Sequence, residues 1–247
     1  MRVWMPLPDR DFDTTEVAVP WKVLTGAGHE VVFATEHGGA APACDPKLID
    51  GVIFGKLGAQ EDAIAAYREL EQAPAFRAPV PWGEIEPAQF DGLVLAGGHA
   101  PGMRQYLGSE ELQAKVREFW ELERPVGAIC HGVLVLARAG VLGATRTTCL
   151  TKSMERGAYL LTSWRLGRYY RTYPAYVEDE VVAALDDPKQ FDAGPIATRT
   201  RPFVVEDGRY VSGRWPGDAP LFAERFAALL SAGPRPQPAA ATPRQAT

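Results

Sequence analysis

The stretch PVGAICHGVLVLARAG, Pro125 to Gly140, changes character in its middle. Its first residues, VGAIC, form an apolar run of strand length. After Gly132 the run resumes as a helix. A buried strand passing straight into a helix is the unit from which parallel sheets are built. The junction reads Ala128-Ile129-Cys130-His131-Gly132, which has the form small-x-nucleophile-x-Gly. In the related G-x-S-x-G turn, small residues flank a nucleophile whose backbone is strained and tightly packed. A cysteine there sits at a helix start, where the dipole favours thiolate over thiol. We read Cys130 as a nucleophile; the alternative is a small buried hydrophobe.

Outward from this stretch the alternation of strand and helix continues. Apolar strands are expected at 2–7, 29–35 and 90–98. Helices are expected at 14–28, 61–72, 109–123 and 218–232. Thr14 or Thr15 should cap the first helix, and Pro20 should kink it or delay its start. In the helix at 109–123, Leu112, Val116, Phe119 and Trp120 share one face. Asp207-Gly208, between β-rich flanks in PFVVEDGRYVSG, signals a hairpin. The fold class is therefore α/β, with a mostly parallel sheet.

The chain reads as one domain over residues 1–231, with poorly patterned insertions near 41–89 and 151–174. The second insertion is aromatic and basic, partly helical, and suited to lining a cleft. Residues 232–247 are rich in Pro, Ala and Thr without an apolar period, the composition of a disordered tail.

Among 247 residues, 46% are hydrophobic and 23% charged, an ordinary globular composition. The net charge of −5 gives no basic surface for nucleic acid or anionic membrane. No apolar run has the length of a membrane span, and MRVWMPLPDRDFD lacks the apolar core of a signal peptide. Three cysteines form neither a disulfide framework nor a zinc knuckle, so a cytoplasmic thiol protein is expected.

Ligands of a parallel sheet sit beyond the C-terminal strand ends. Cys130 falls at one such end, Gly97-Gly98-His99 at a second, and the acidic PDRDFDTTE at a third. The His131 amide and one from the Gly97-Gly98 turn could face an oxyanion. His131 reads equally as a general base or as a support of the turn, because neighbouring residues at a helix start diverge. His99 could face the same cleft. Of the N-terminal acids, Asp9, Asp11 and Asp13 read as solvated. Glu16, which opens the apolar stretch EVAVPW, could be buried beside the cysteine with a raised pKa. Read from the residues alone, Glu16 is better taken as an acid satisfying the helix dipole. Cys44 and Cys149 read as packing residues. The histidines lack zinc-ligand spacing, and we expect no metal and no cofactor.

FDGLVLAGGHAPGM, followed about thirty residues on by PVGAICHG, resembles the ThiJ/PfpI superfamily of the class I glutamine amidotransferase-like fold. TEVAVPWKVL, GHEVVFAT with HGG, and DGRYVSGRWPGDAPLFAERFAALL extend the resemblance over most of residues 1–231. It implies a flavodoxin-like three-layer sandwich with the cysteine on a nucleophile elbow. It implies Cys130 as nucleophile, Glu16 as the acid bonded to it, and Gly98 and His131 as oxyanion-side positions. The AICHG form is most similar to the branch of heat-shock chaperones and glutathione-independent glyoxalases. In that branch an acid partners the histidine; here the matching place reads Tyr173-Pro174, with Glu178 and Asp179 the next acids. No late His-x-Glu pair is present, so ammonia release from glutamine is not implied. The implied function is a cysteine-dependent enzyme of small molecules, reactive aldehydes first, acting as a homodimer. Isonitrile hydration or amide hydrolysis by the same Cys/Glu pair is one alternative. A redox-sensing stress protein or holdase is the other.

Overall fold

The computed structural model describes residues 1–232. The tail expected over 232–247 lies, past Ala232, outside the described residues. Among the described residues nine strands form: β1 (Arg2–Pro6), β2 (Arg10–Phe12), β3 (Glu30–Thr35), β4 (Ala43–Cys44), β5 (Val80–Pro81), β6 (Gly92–Leu95), β7 (Val126–Ile129), β8 (Val204–Asp207) and β9 (Tyr210–Gly213). Ten α-helices accompany them in the described residues: α1 (Thr14–Gly26), α2 (Pro46–Asp50), α3 (Glu61–Leu70), α4 (Pro74–Arg77), α5 (Met103–Gly108), α6 (Glu110–Glu121), α7 (Val133–Ala139), α8 (Lys152–Leu166), α9 (Val177–Ala183) and α10 (Ala219–Ser231).

Seven strands make one sheet in the order β5-β3-β1-β6-β7-β9-β8, and β2 pairs with β4 in a small second sheet. Every pairing in the large sheet is parallel except β8 with β9, the expected hairpin. Helices α1, α3 and α10 pack together on one side, with α10 against β7 and β9; α5, α6, α7 and α9 pack together as a second group. This is the three-layer α/β sandwich. The central strands β6 and β7 are buried at every residue, which is why their sequences are continuous apolar runs. Among the described residues no helix is long and apolar enough to cross a membrane.

Two expectations are corrected. Asp13, not Thr14 or Thr15, caps α1: its Oδ1 accepts from the amides of Thr15 (2.8 Å) and Glu16 (3.0 Å). Pro20 neither delays nor ends the helix, which runs unbroken to Gly26. One lost amide bond is outweighed by burial of Val17, Ala18, Pro20 and Leu24. Part of the 41–89 segment is built into the sandwich. Helix α3 buries Ala66, Tyr67 and Leu70 in the main core, and β5 extends the sheet beside β3.

The sheet ends on one side at β5, two residues closing with Pro81. On the other it ends at β8, whose Glu206 is exposed and pairs with Arg225 of α10.

The hairpin is followed by a buried clamp. Arg214 Nε lies 2.9 Å from Asp218 Oδ2, and its Nη2 lies 3.1 Å from Oδ1. Asp218 also accepts from the amides of Phe203 and Arg214, and the guanidinium donates to the carbonyl of Pro195. Both side chains are fully enclosed.

Candidate active site

Strand β7 stops at Ile129 in extended backbone, and Cys130 turns to φ +57. A left-handed conformation at a non-glycine residue costs on the order of 1–3 kcal/mol and persists only where its surroundings enforce it. Here one 3₁₀ turn, Cys130–Gly132, joins the strand to α7. Gly132 permits the turn: a Cβ there would stand 2.2 Å from the Leu95 carbonyl oxygen. The elbow expected from the sequence is present.

Gly97, beyond the end of β6, brings the other parts together. A Cβ on it would lie 2.6 Å from the His131 nitrogen, 2.9 Å from Glu16 Oε2 and 3.1 Å from Cys130 Cβ. Any side chain at this position would thus separate the cysteine from the carboxyl group. The Gly97 amide donates to Glu16 Oε2 at 2.9 Å, and its carbonyl accepts from the Asp13 amide at 2.8 Å. Glu16 is fully buried, and its Oε1 has no hydrogen-bond partner. The dipole-acid reading of Glu16 therefore gives way to a buried carboxyl turned to the sheet edge.

Burial raises the Glu16 pKa well above the usual carboxylate range, and the nearby Asp13 charge adds to the rise. The Cys130 thiol is also pushed well above its ordinary value, first by burial and then by Glu16 and Asp13. The His131 amide at the helix start works in the opposite direction and loses. This corrects the expectation of a resting thiolate. A short helix start does not offset enclosure at 1% exposure beside two carboxyl groups. Cys44 and Cys149 are buried free thiols as well, so exposure does not distinguish Cys130. Its backbone and neighbours do.

Asp13, read as solvated, is buried, and its pKa is raised to about 6 chiefly by that burial. A carboxyl group that holds its proton more tightly when folded makes stability fall as pH rises from its ordinary value of 3.8 through about 6. Asp13→Asn keeps the capping oxygen and removes the charge. We expect its melting temperature, relative to wild type, to gain between about pH 4 and about pH 7. Parallel melting curves across that range would show that Asp13 does not titrate there.

His131 Nδ1 lies 3.4 Å from Cys130 Sγ. The neighbours that should have diverged at a helix start are turned together by the left-handed backbone and the tight 3₁₀ turn. The ring is fully buried and held neutral by that burial, and its Nε2 has no hydrogen-bond partner. No acid meets it. Tyr173 stands against the ring instead, centroids 5.2 Å apart. Glu178 accepts from the Lys152 amide and Asp179 pairs with the Lys152 ammonium. A Cys-His-acid triad is therefore not formed among the described residues.

His99 packs edge-on against His131 at 4.6 Å and against Tyr170 at 4.7 Å. Burial holds its pKa down to about 4. One ring nitrogen from each histidine and Cys130 Sγ lie within 4.8 Å of one another. These are donors that soft divalent metals accept. Ligand spacing along the chain could not show this, since adjacent strands supply the three residues. On the far side of His99 from the thiol is a cavity of about 460 Å³ walled by His99, Asp13, Leu150, Trp215 and one side of α8; Cys130 itself does not line it. The aromatic segment 151–174 thus lines a cleft, as its composition suggested.

A family model described as ThiJ/PfpI family-like matches residues 7–195. A deglycase of Pyrococcus abyssi is 30% identical over 93% of this chain and 99% of its own length. A deglycase of Thermococcus kodakarensis is 31% identical over 89% of this chain and 93% of its own. Among solved structures, glyoxalase III of Candida albicans superposes with TM-score 0.68 at 18% identity, covering 93% of this chain and 97% of that one.

Proposed function

This chain belongs to the ThiJ/PfpI family, and from that premise we propose that it is a cysteine-dependent enzyme of reactive carbonyl compounds. The observation that carries the reading is the juxtaposition across Gly97: a strained Cys130 on its elbow beside the buried, half-unpartnered carboxyl of Glu16. Relatives named as deglycases support a carbonyl, or a carbonyl adduct of an amine, as the group attacked.

The resting thiol is neutral, so deprotonation accompanies attack. Sulfur bonds to the electrophilic carbon as the Glu16 carboxyl, whose burial favours its protonated form, takes the thiol proton and gives up its own, with Oε1 the oxygen left free by Gly97. The carbonyl electron pair moves onto oxygen, where the amides of His131 and Gly98 serve as donors. The proton given up by Glu16 ends on that oxygen, so the product is a hemithioacetal and Glu16 is again a carboxylic acid. From there, rearrangement followed by water, or direct hydrolysis of an amine adduct, frees the product and restores the thiol. His131 is too weak a base to lead this transfer, and it positions the sulfur through Nδ1. His99 stands at the substrate side.

Consumption of a panel of α-dicarbonyls, aldehydes and glycated amines by wild type and Cys130→Ala tests the reading. Wild type should deplete at least one class, and Cys130→Ala should lose that activity by about 10²-fold or more. Equal depletion by both proteins would remove Cys130 from the chemistry.

One observation favours the holdase reading. Leu160, Leu161 and Trp164 of α8, with Phe54 and Leu57, are exposed large hydrophobics, and the Phe54 and Trp164 rings lie 6.5 Å apart. Such a patch suits contact with unfolded chain. Leu161→Ser with Trp164→Ser should abolish any suppression of aggregation of a heat-denatured client. Suppression that survives both changes would sink it.

A further inference from the structure

The cavity that His99 shares with α8 is larger and more apolar than a short dicarbonyl requires. Its volume of about 460 Å³ is that of a site for a drug-sized ligand. The apolar wall is built by Leu150, Met154, Ala158 and Leu161, with Leu48 and Trp215 opposite. Arg199, exposed, also lines the cavity, but several of its polar side chains are spent elsewhere. Glu155 accepts from the Val177 amide and pairs with Arg171. The Thr162 hydroxyl donates to the Ala158 carbonyl. Asp13 caps α1. Two residues tie the cavity to the reacting atoms: His99, whose ring nitrogen lies within 4.8 Å of Sγ, and Asp13, whose charge reaches both Cys130 and Glu16.

We propose that this cavity binds the non-reacting part of the substrate, and that the substrate is a reactive carbonyl compound bearing a large uncharged apolar group such as a phenyl or branched alkyl ring. The inference rests on the carbonyl chemistry assigned to Cys130 and adds the substituent. The apolar group lies along α8, and the carbonyl end meets the thiol past the His99 ring. Binding energy from the ring holds the carbonyl in place, which a short dicarbonyl cannot supply.

Phenylglyoxal and methylglyoxal, differing only in that substituent, are the probes, compared by initial rates. Wild-type kcat/KM should favour phenylglyoxal by at least about tenfold, the usual discrimination of an apolar pocket. Ala158→Trp fills the cavity and should lower the phenylglyoxal-to-methylglyoxal ratio by about tenfold or more. Leu161→Asp, at a position 75% exposed and therefore tolerant of charge, should lower the same ratio. A wild-type ratio near one, or a ratio unmoved by both variants, overturns the proposal. If neither dicarbonyl is consumed, binding decides the cavity, and the carbonyl reading is judged by the aldehydes and glycated amines. Acetophenone titrated calorimetrically into Cys130→Ala should then bind, and should not bind Cys130→Ala carrying Ala158→Trp. Absence of binding to the first protein overturns the apolar site independently of any activity.

Discussion

Glu16→Gln is expected to lower carbonyl turnover by about 10²-fold or more, the range for loss of a general acid–base group, while making Cys130 easier to ionise. The second half follows from sign. The Glu16 charge is one of the causes that raise the Cys130 pKa. A neutral amide removes that charge yet keeps an oxygen for the Gly97 amide, so the thiol should titrate at lower pH. Turnover and alkylation rate of Cys130 by iodoacetamide, measured against pH in both proteins, should therefore move in opposite directions. Glu16→Asp shortens the side chain by one methylene and should impair both proton transfer and the bond to Gly97. A protein that only sensed oxidants would need the thiolate alone, and in it Glu16→Gln should leave peroxide sensitivity intact or raised. If turnover survives in Glu16→Gln, the proton moves through another group, and His131 is the nearest to the sulfur.

Asp218→Asn should be the most destabilising single change away from the site. It leaves Arg214 enclosed at 1% exposure without its counter-ion. Breaking one side of a buried pair costs about 3–5 kcal/mol. For a domain of this size each kcal/mol shifts the melting temperature by roughly 2–4 °C. A fall of roughly 6–20 °C is expected, and Arg214→Met should fall in the same range, because Asp218 would then be left buried and charged. The paired replacement of both residues by leucines should cost less than either single change. Trp215 and Pro216, between the clamp residues, line the cavity, so surviving single variants should also bind apolar ligands more weakly. A melting temperature within about 2 °C of wild type in Asp218→Asn would show that the clamp contributes little.

What the sequence discloses here depends on how far each feature is local. The central strands and α6 are legible because their burial is written as continuous or amphipathic apolar runs. Strands β4 and β5 have two residues each, too short for any period, so apart from the helix at 61–72 the region from Ala41 to Gln89 looks unpatterned although α3 and β5 belong to the sandwich. Cys130 and the glycines are legible because a strained turn restricts which residues can flank it. Asp13 misleads because PDRDFDTTE is polar throughout, and its burial comes from docking against the Gly97 loop 84 residues away. The Asp-x-x-Glu spacing, with an acceptor followed by a helix, was the available signal for the cap. The contact of His131 with sulfur follows from a positive φ that no pattern encodes. Arg214 and Asp218 carry a signal of their own: opposite charges four apart across a proline-glycine turn.

The two edges of the sheet bear on how the protein behaves when crowded. An exposed row of free amides and carbonyls invites another chain to add as a further strand. At β5 the row is two residues long, and its last member, Pro81, has no amide to offer. At β8 an incoming strand meets the exposed carboxylate of Glu206, held in place by Arg225. Neither edge gives a growing fibril a template, so concentrated solutions of the native protein should stay clear of strand-to-strand polymers, and aggregation should wait on unfolding.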